Sequence, residues 1–149
     1  MKVCVVCSHG GHFTETQQIL EAFSGHDLFL ATYHSARAAE ASQIARSYFT
    51  ENIGTSVVRM ARALGWALKI LLKEQPDVIV SMGAEIALPF FYLGKLLGIK
   101  TIFIESWCRV ENLSKTGKLL YPIADLFLVQ WPQLLETYEG KAQYQGAVI

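Results

Sequence analysis

Five consecutive residues, Ser8-His9-Gly10-Gly11-His12, put two imidazoles, a hydroxyl and two glycines into one turn. Paired glycines let the backbone approach a ligand closely. A helix opening just after them offers free N–H groups and a positive dipole to a phosphate. The turn is neither G-x-G-x-x-G nor a Walker loop, since no Gly-Lys-Ser/Thr is present. Imidazole titrates near neutrality, so His12 suits a general base or a pyrophosphate donor, against the plainer reading of a histidine bonded locally at a helix start. His9 is a poorer candidate, and His26 and His34 sit in ordinary loops. A second cluster, Glu105-Ser106-Trp107-Cys108-Arg109, follows the apolar run Thr101–Ile104. There a carboxylate with a guanidinium nearby could position a sugar hydroxyl or act as base, and Arg109 could meet a phosphate. In a third turn, Ser81-Met82-Gly83-Ala84-Glu85, Gly83 allows the bend and Glu85 is expected in the first helical turn, where the dipole favours a carboxylate. No Asp-x-Asp occurs, so a metal clamp between two aspartates is not expected, nor is any other metal or cofactor.

These turns need elements to hold them. Strands are expected at 3–7, 27–32, 78–81, 101–104 and 126–129, with a weak one at 48–53 and a closing strand or arm at 142–149. Helices are expected at 13–23, 36–46, 55–74, 84–97, near 118–124 and from Pro132. The βαβα succession predicts a Rossmann-like, doubly wound parallel sheet of six or seven strands in one domain, residues 1–149. The three turns then fall at the carboxyl ends of strands, where open α/β sheets bind ligands. Strands 101–104 and 126–129 both discharge polar and aromatic residues at that rim, the second as Gln130-Trp131-Pro132.

Composition narrows the classes. At 52% hydrophobic and 17% charged, the 149 residues can bury a substantial core, which argues against disorder. Thirteen basic and thirteen acidic residues cancel, so no global field attracts nucleic acid. The opening apolar run is too short for a signal peptide, and no later segment reaches eighteen uninterrupted apolar residues; a cytosolic-side protein without its own anchor is expected. Cys4 and Cys7 imitate C-x-x-C, but three residues apart in a strand they face opposite ways, as buried structural thiols.

In the helix 55–74, Arg59, Arg62, Trp66, Lys69 and Lys73 fall within a stripe of roughly 80°. A basic stripe with a Trp suits a helix lying at an anionic membrane surface, and a solvated face with Trp66 half-buried is the alternative. Segment 86–97, rich in aromatic and aliphatic residues, could add an apolar patch or simply be core.

Residues 105–110, Leu113-Ser114, Thr116-Gly117-Lys118, Tyr121, Ala124-Asp125 and Val129-Gln130-Trp131-Pro132, together with Ser8 to His12, resemble the membrane-associated subunit of two-component GT-B glycosyltransferases. That family includes the subunit that recruits the catalytic partner for the second N-acetylglucosamine on dolichol-diphosphate, and PssD-type bacterial capsule and exopolysaccharide proteins. The resemblance implies the amino-terminal half of a GT-B enzyme, holding a polyprenyl-diphosphate-linked sugar acceptor at the membrane. A separate donor-binding GT-B half would share the nucleotide-sugar site. The reaction implied is inverting and metal-independent, and the location cytoplasmic, peripheral on the inner face of the cell membrane. Eukaryotic members carry an amino-terminal membrane helix, whereas this sequence opens directly on a strand, as the bacterial ones tend to.

Expected roles follow. His12, then Glu105, are the candidate bases. Ser8, Gly10, Gly11, Gly83 and Arg109 would bind the acceptor and its phosphates. Arg59, Arg62, Trp66, Lys69 and Lys73 would face the membrane. Gln130, Trp131, Val148 and Ile149 would meet the partner, the apolar end being poorly suited to solvent. Two rivals remain: a recruiting scaffold with all catalytic groups on the partner, and an ordinary nucleotide-binding Rossmann protein. The second lacks a dinucleotide fingerprint.

Overall fold

Short apolar runs alternating with helical segments can bury themselves as parallel strands covered by helices on both faces. The computed structural model, which describes residues 1–138 and 140–148, takes that form. Its strands are β1 (Lys2–Val6), β2 (Asp27–Tyr33), β3 (Arg46–Thr50), β4 (Val78–Ser81), β5 (Lys100–Ile104), β6 (Leu126–Val129) and β7 (Ala142–Tyr144). They form one all-parallel sheet in the order β3-β2-β1-β4-β5-β6-β7. The helices are α1 (Gly11–Ile19, extended by a 3-10 turn at Leu20–Phe23), α2 (Ala38–Ile44), α3 (Val57–Glu74), α4 (Ala87–Leu96), α5 (Lys115–Leu120) and α6 (Leu134–Thr137).

The side-chain alternation of β1 feeds two cores. Val3 and Val5, with Cys7 just beyond the strand, pack with Phe13 of α1 and Ala41 of α2. Cys4 and Val6 pack on the other face with Ala63, Ala67, Ile70 and Leu71 of α3 and Phe90 and Phe91 of α4. The two thiols thus lie on opposite faces, both buried, and burial pushes Cys7 up to about 11.

Among the boundaries that differ from expectation, three have a clear local reason. β3 spans 46–50 rather than 48–53, because Arg46 pairs in register with Phe29 while its guanidinium bonds Glu74 at 2.9 Å. α4 starts at Ala87 rather than Ala84, because Gly83 (φ 125) and Ala84 (φ 68) are both left-handed and cannot be helical. α5 starts at Lys115, since Ser114 Oγ accepts from the Gly117 N–H at 2.9 Å and caps the helix there.

Two consequences position the chemistry. Neighbouring β1 and β4 send α1 and α4 to opposite faces, which opens a crevice at the carboxyl edge between their loops. At the amino edge, Glu74 is buried and accepts from Arg46, from Lys2 at 3.3 Å, and through a short bond from Tyr48. Burial alone would raise its carboxyl. The Tyr48, Lys2 and Arg46 contacts outweigh that and hold it below the ordinary glutamate range.

Candidate functional site

The carboxyl edge carries a cleft of about 1000 Å³. Strand order sets the sequence of its lining. Tyr33, the last residue of β2, and Asn52, after β3, stand at one end, and the segment after β5, with Arg109, Lys115 and Lys118, forms the other. Ser8, His9, Gly11, His12 and Glu15, after β1, and Ala84 and Glu85, after β4, lie between. The loops 8–12 and 105–109 therefore do converge.

His12 is placed by Gly83. The imidazole lies against that glycine so closely that a β-carbon there would meet His12 Cε1 at 2.9 Å. Gly83 thus does not line the cleft; it makes room for the ring that does. Gly10 is also outside the cleft, and its carbonyl accepts from Arg37 at 3.3 Å. Ser8 and Gly11 are in it, with Ser8 buried.

Glu105, the second candidate base, does not stand at the wall of the cleft. It is fully buried and absent from the cleft lining. Its Oε1 accepts from the Ser106 N–H at 2.9 Å, and its Oε2 from the Ser114 N–H at 2.9 Å and Oγ at 3.1 Å. A β-carbon on Gly117 would collide with the same carboxylate. Burial pushes its pKa up, and the bonds from Ser106 and Ser114 and the charge of Arg109 pull against that. Glu105 is the buried clamp that folds segment 105–117 over the cleft. The carboxylates in the cleft are two others. Glu15 lines it beside His12, with Oε1 accepting from Ser106 Oγ at 2.8 Å. Glu85 accepts from Tyr33 OH at 2.8 Å and from the Gly54 N–H at 3.3 Å. It precedes α4, so these partners rather than the helix dipole hold it. Burial and the neighbouring carboxylate raise the Tyr33 phenol far above its usual range.

Arg109, Lys115 and Lys118 make no ion pair among the described residues. The cleft thus carries cations without ion pairs at its β5 end, Glu15 and Glu85 in its middle, and Tyr33 and Asn52 at its β3 end. Among the described residues no three His, Cys, Asp or Glu side chains are grouped to hold a metal ion. Sequence reasoning missed Glu15, Lys115, Lys118, Tyr33 and Asn52. Glu15 had a signal, since a residue three beyond His12 on a helix shares its face.

Other expected sites lie elsewhere. On α3, Arg59 donates to the Asn52 carbonyl at 3.1 Å, Arg62 pairs with Glu51 at 3.3 Å, and Lys73 stands over the Tyr48 ring. Lys69 is exposed. Trp66, for which membrane-facing and half-buried positions both stood open, is half-buried, its ring packed edge-on against Phe90 at 5.4 Å. Beside the basic row runs an exposed apolar one, Val57, Leu64, Leu68 and Leu72, that the basic stripe had overshadowed. No helix among the described residues is long and apolar enough to cross a membrane.

Gln130, one of the expected partner contacts, has its side chain held inside this chain. It is buried, donating to the Glu105 carbonyl at 2.9 Å and accepting from the Val148 N–H at 3.0 Å. Val148 is thereby drawn back onto the sheet. Trp131 stays at the rim, its indole N–H bonded to the Trp107 carbonyl and its ring 5.6 Å from that of Trp107. Ile149 lies outside the described residues.

The fold is shared with Acinetobacter baumannii MurG, at a TM-score of 0.78 and 15% identity over 97% of this chain and 45% of that one. A UDP-N-acetylglucosamine 2-epimerase from Rickettsia bellii superposes with a TM-score of 0.74 at 15% identity, covering 99% of this chain and 45% of that one. The mouse UDP-N-acetylglucosamine transferase subunit ALG14 is 31% identical over 123 residues, 78% of this chain and 54% of its own. The Yarrowia lipolytica subunit of the same name is 38% identical over 101 residues, 64% and 46% of the two chains. The chain thus spans about half the length of the curated relatives it matches. The family profile "Oligosaccharide biosynthesis protein Alg14 like" matches residues 34–148, most of the sheet and the whole β5 end of the cleft. This chain belongs to the Alg14-like family of oligosaccharide biosynthesis proteins.

Proposed function

We propose that the chain is the acceptor- and membrane-binding subunit of an inverting, metal-independent glycosyltransferase that extends a polyprenyl-diphosphate-linked sugar. The observation that carries this reading is the cluster of cations without ion pairs at the β5 end of the cleft: Arg109, Lys115 and Lys118 suit a diphosphate, and Glu15, Glu85 and Asn52 along the rest of it suit sugar hydroxyls. A separate donor-binding chain would close the open side and bring the nucleotide sugar. In the reaction the acceptor oxygen bonds to the anomeric carbon as the bond to the leaving diphosphate breaks. His12 takes the hydroxyl proton, and backbone donors and cations stabilise the departing charge.

Relatives named as UDP-N-acetylglucosamine transferase subunits favour that sugar and lipid-linked oligosaccharide assembly over capsule or exopolysaccharide. The outer face of α3 would meet the membrane from the cytoplasmic side, its apolar row entering the interface and its basic row meeting anionic headgroups. If changing Arg59, Arg62, Lys69 and Lys73 together to Gln leaves sedimentation with anionic vesicles unaltered, that docking is wrong. Trp131, with Trp107 beside it, would meet the donor-binding partner chain.

The central test is transfer by the two-chain complex carrying His12→Ala. A large loss of turnover with assembly intact supports the reading. Near-normal turnover removes His12 from catalysis and leaves this chain a recruiting scaffold.

A further inference from the structure

Two buried side-chain atoms of the described residues have no hydrogen-bond partner in the protein, His12 Nδ1 and Glu15 Oε2, and both residues line the cleft. Buried polar atoms are almost always satisfied, so such a pair in one cavity points to partners that arrive from outside the chain. Glu15 is not loosely held. Ser114 fixes Glu105, Glu105 fixes the Ser106 backbone, and Ser106 Oγ fixes Glu15 Oε1 at 2.8 Å. This relay crosses from the β5 segment to α1 with every bond made until the last atom, Glu15 Oε2. The buried clamp and the carboxylate in the cleft are thus two ends of one device.

We propose that Glu15 reads the acceptor sugar. Its Oε2 accepts a hydrogen bond from an O–H or N–H neighbouring the hydroxyl that His12 deprotonates. The proposal rests on the acceptor-binding reading above and adds to it a residue that determines specificity. A carboxylate accepts and never donates, so it selects a position bearing a donor and disfavours a deoxy position. It also repels phosphate, which directs the diphosphate to Arg109, Lys115 and Lys118 and fixes which way round the acceptor lies. A site that bonds a substrate donor discriminates strongly against analogues lacking it, because its own buried atom is then left unpaired.

The test is calorimetric titration of the full chain with a short-chain polyprenyl-diphosphate N-acetylglucosamine and with its 3-deoxy, 6-deoxy and 2-deoxy (acetamido-free) analogues. Glu15→Gln keeps an oxygen for Ser106 and places an amide where Oε2 was, so the fold is retained; a melting curve checks this. The expected result is a roughly 10- to 100-fold weaker Kd for the full sugar on Glu15→Gln. One analogue should be weakened to the same degree on the wild type, with little further loss on the variant. Ser106→Ala, which frees the carboxylate without removing it, should show a smaller loss confined to the same sugar position. Equal binding by Glu15→Gln, or an equal loss on every analogue, overturns the proposal while the acceptor reading stands. Failure of the wild type to bind any of these sugars overturns the acceptor reading and this inference with it.

Discussion

The two edges of the sheet carry charged groups arranged in opposite ways. At the amino edge, Lys2, Asp27, Arg46, Tyr48 and Glu74 bond one another, and the one deeply buried charge is surrounded by its partners. At the carboxyl edge, Arg109, Lys115 and Lys118 stand without ion pairs among the described residues, and His12 and Glu15 each keep a buried atom unmatched. The first arrangement stabilises the fold and needs nothing else. The second is left incomplete over a cleft, as a binding site is before its ligand arrives. The same residue types thus do different work, and the partner inventory separates them.

Substitutions should split along that line. The largest effect is expected from His12→Ala, which should lower kcat of the assembled enzyme by roughly 10²–10⁴-fold with no change in melting temperature. If stability falls with activity, the histidine belongs to the fold and the contrast fails. Gly83→Ala should disturb both properties. It forces a side chain into a φ of 125 and against the imidazole, a strain of about 1–3 kcal/mol, and displaces His12. Denaturant unfolding and kcat should move together for this variant.

Glu74→Gln should do the reverse of His12→Ala, costing about 1–2 kcal/mol while turnover stays near normal, since Lys2 and Arg46 are partly exposed and screened. The pH dependence has a defined sign. Glu74 binds its proton less readily folded than unfolded, so its contribution is present above the ordinary glutamate pKa of about 4 and is lost as pH falls through the depressed value. Glu74→Gln should flatten the acid limb of a stability profile. The smallest effect belongs to Arg62→Gln, whose pair with Glu51 is exposed on both sides; melting should not change measurably.

The sheet was legible because its signals are local. The run Leu126–Val129 and the alternation of Cys4 and Cys7 depend on nothing far away. The convergence of residues 8–12 with 105–109 followed from strand order alone. Side-chain direction at the rim did not. Glu105 and Glu15 look alike in sequence, and only Ser114, nine residues beyond Glu105, decides that Glu105 turns inward while Glu15 reaches the cleft. Trp66 teaches the same on a helix. The wheel found the basic stripe, but Phe90 on α4 decides that the stripe's edge turns into the core and leaves Val57, Leu64, Leu68 and Leu72 outside. Gln130 likewise reads as a rim residue until the Glu105 carbonyl and Val148 claim both ends of its amide.

The most direct measurement is the Kd of a short-chain polyprenyl-diphosphate N-acetylglucosamine for the wild-type chain and for the triple variant Arg109→Ala, Lys115→Ala, Lys118→Ala. If the open cluster holds the acceptor's diphosphate, the variant should bind at least about 100-fold more weakly at an unchanged melting temperature. An unchanged Kd would contradict the account, because the unpaired cations would then have no part in holding the acceptor.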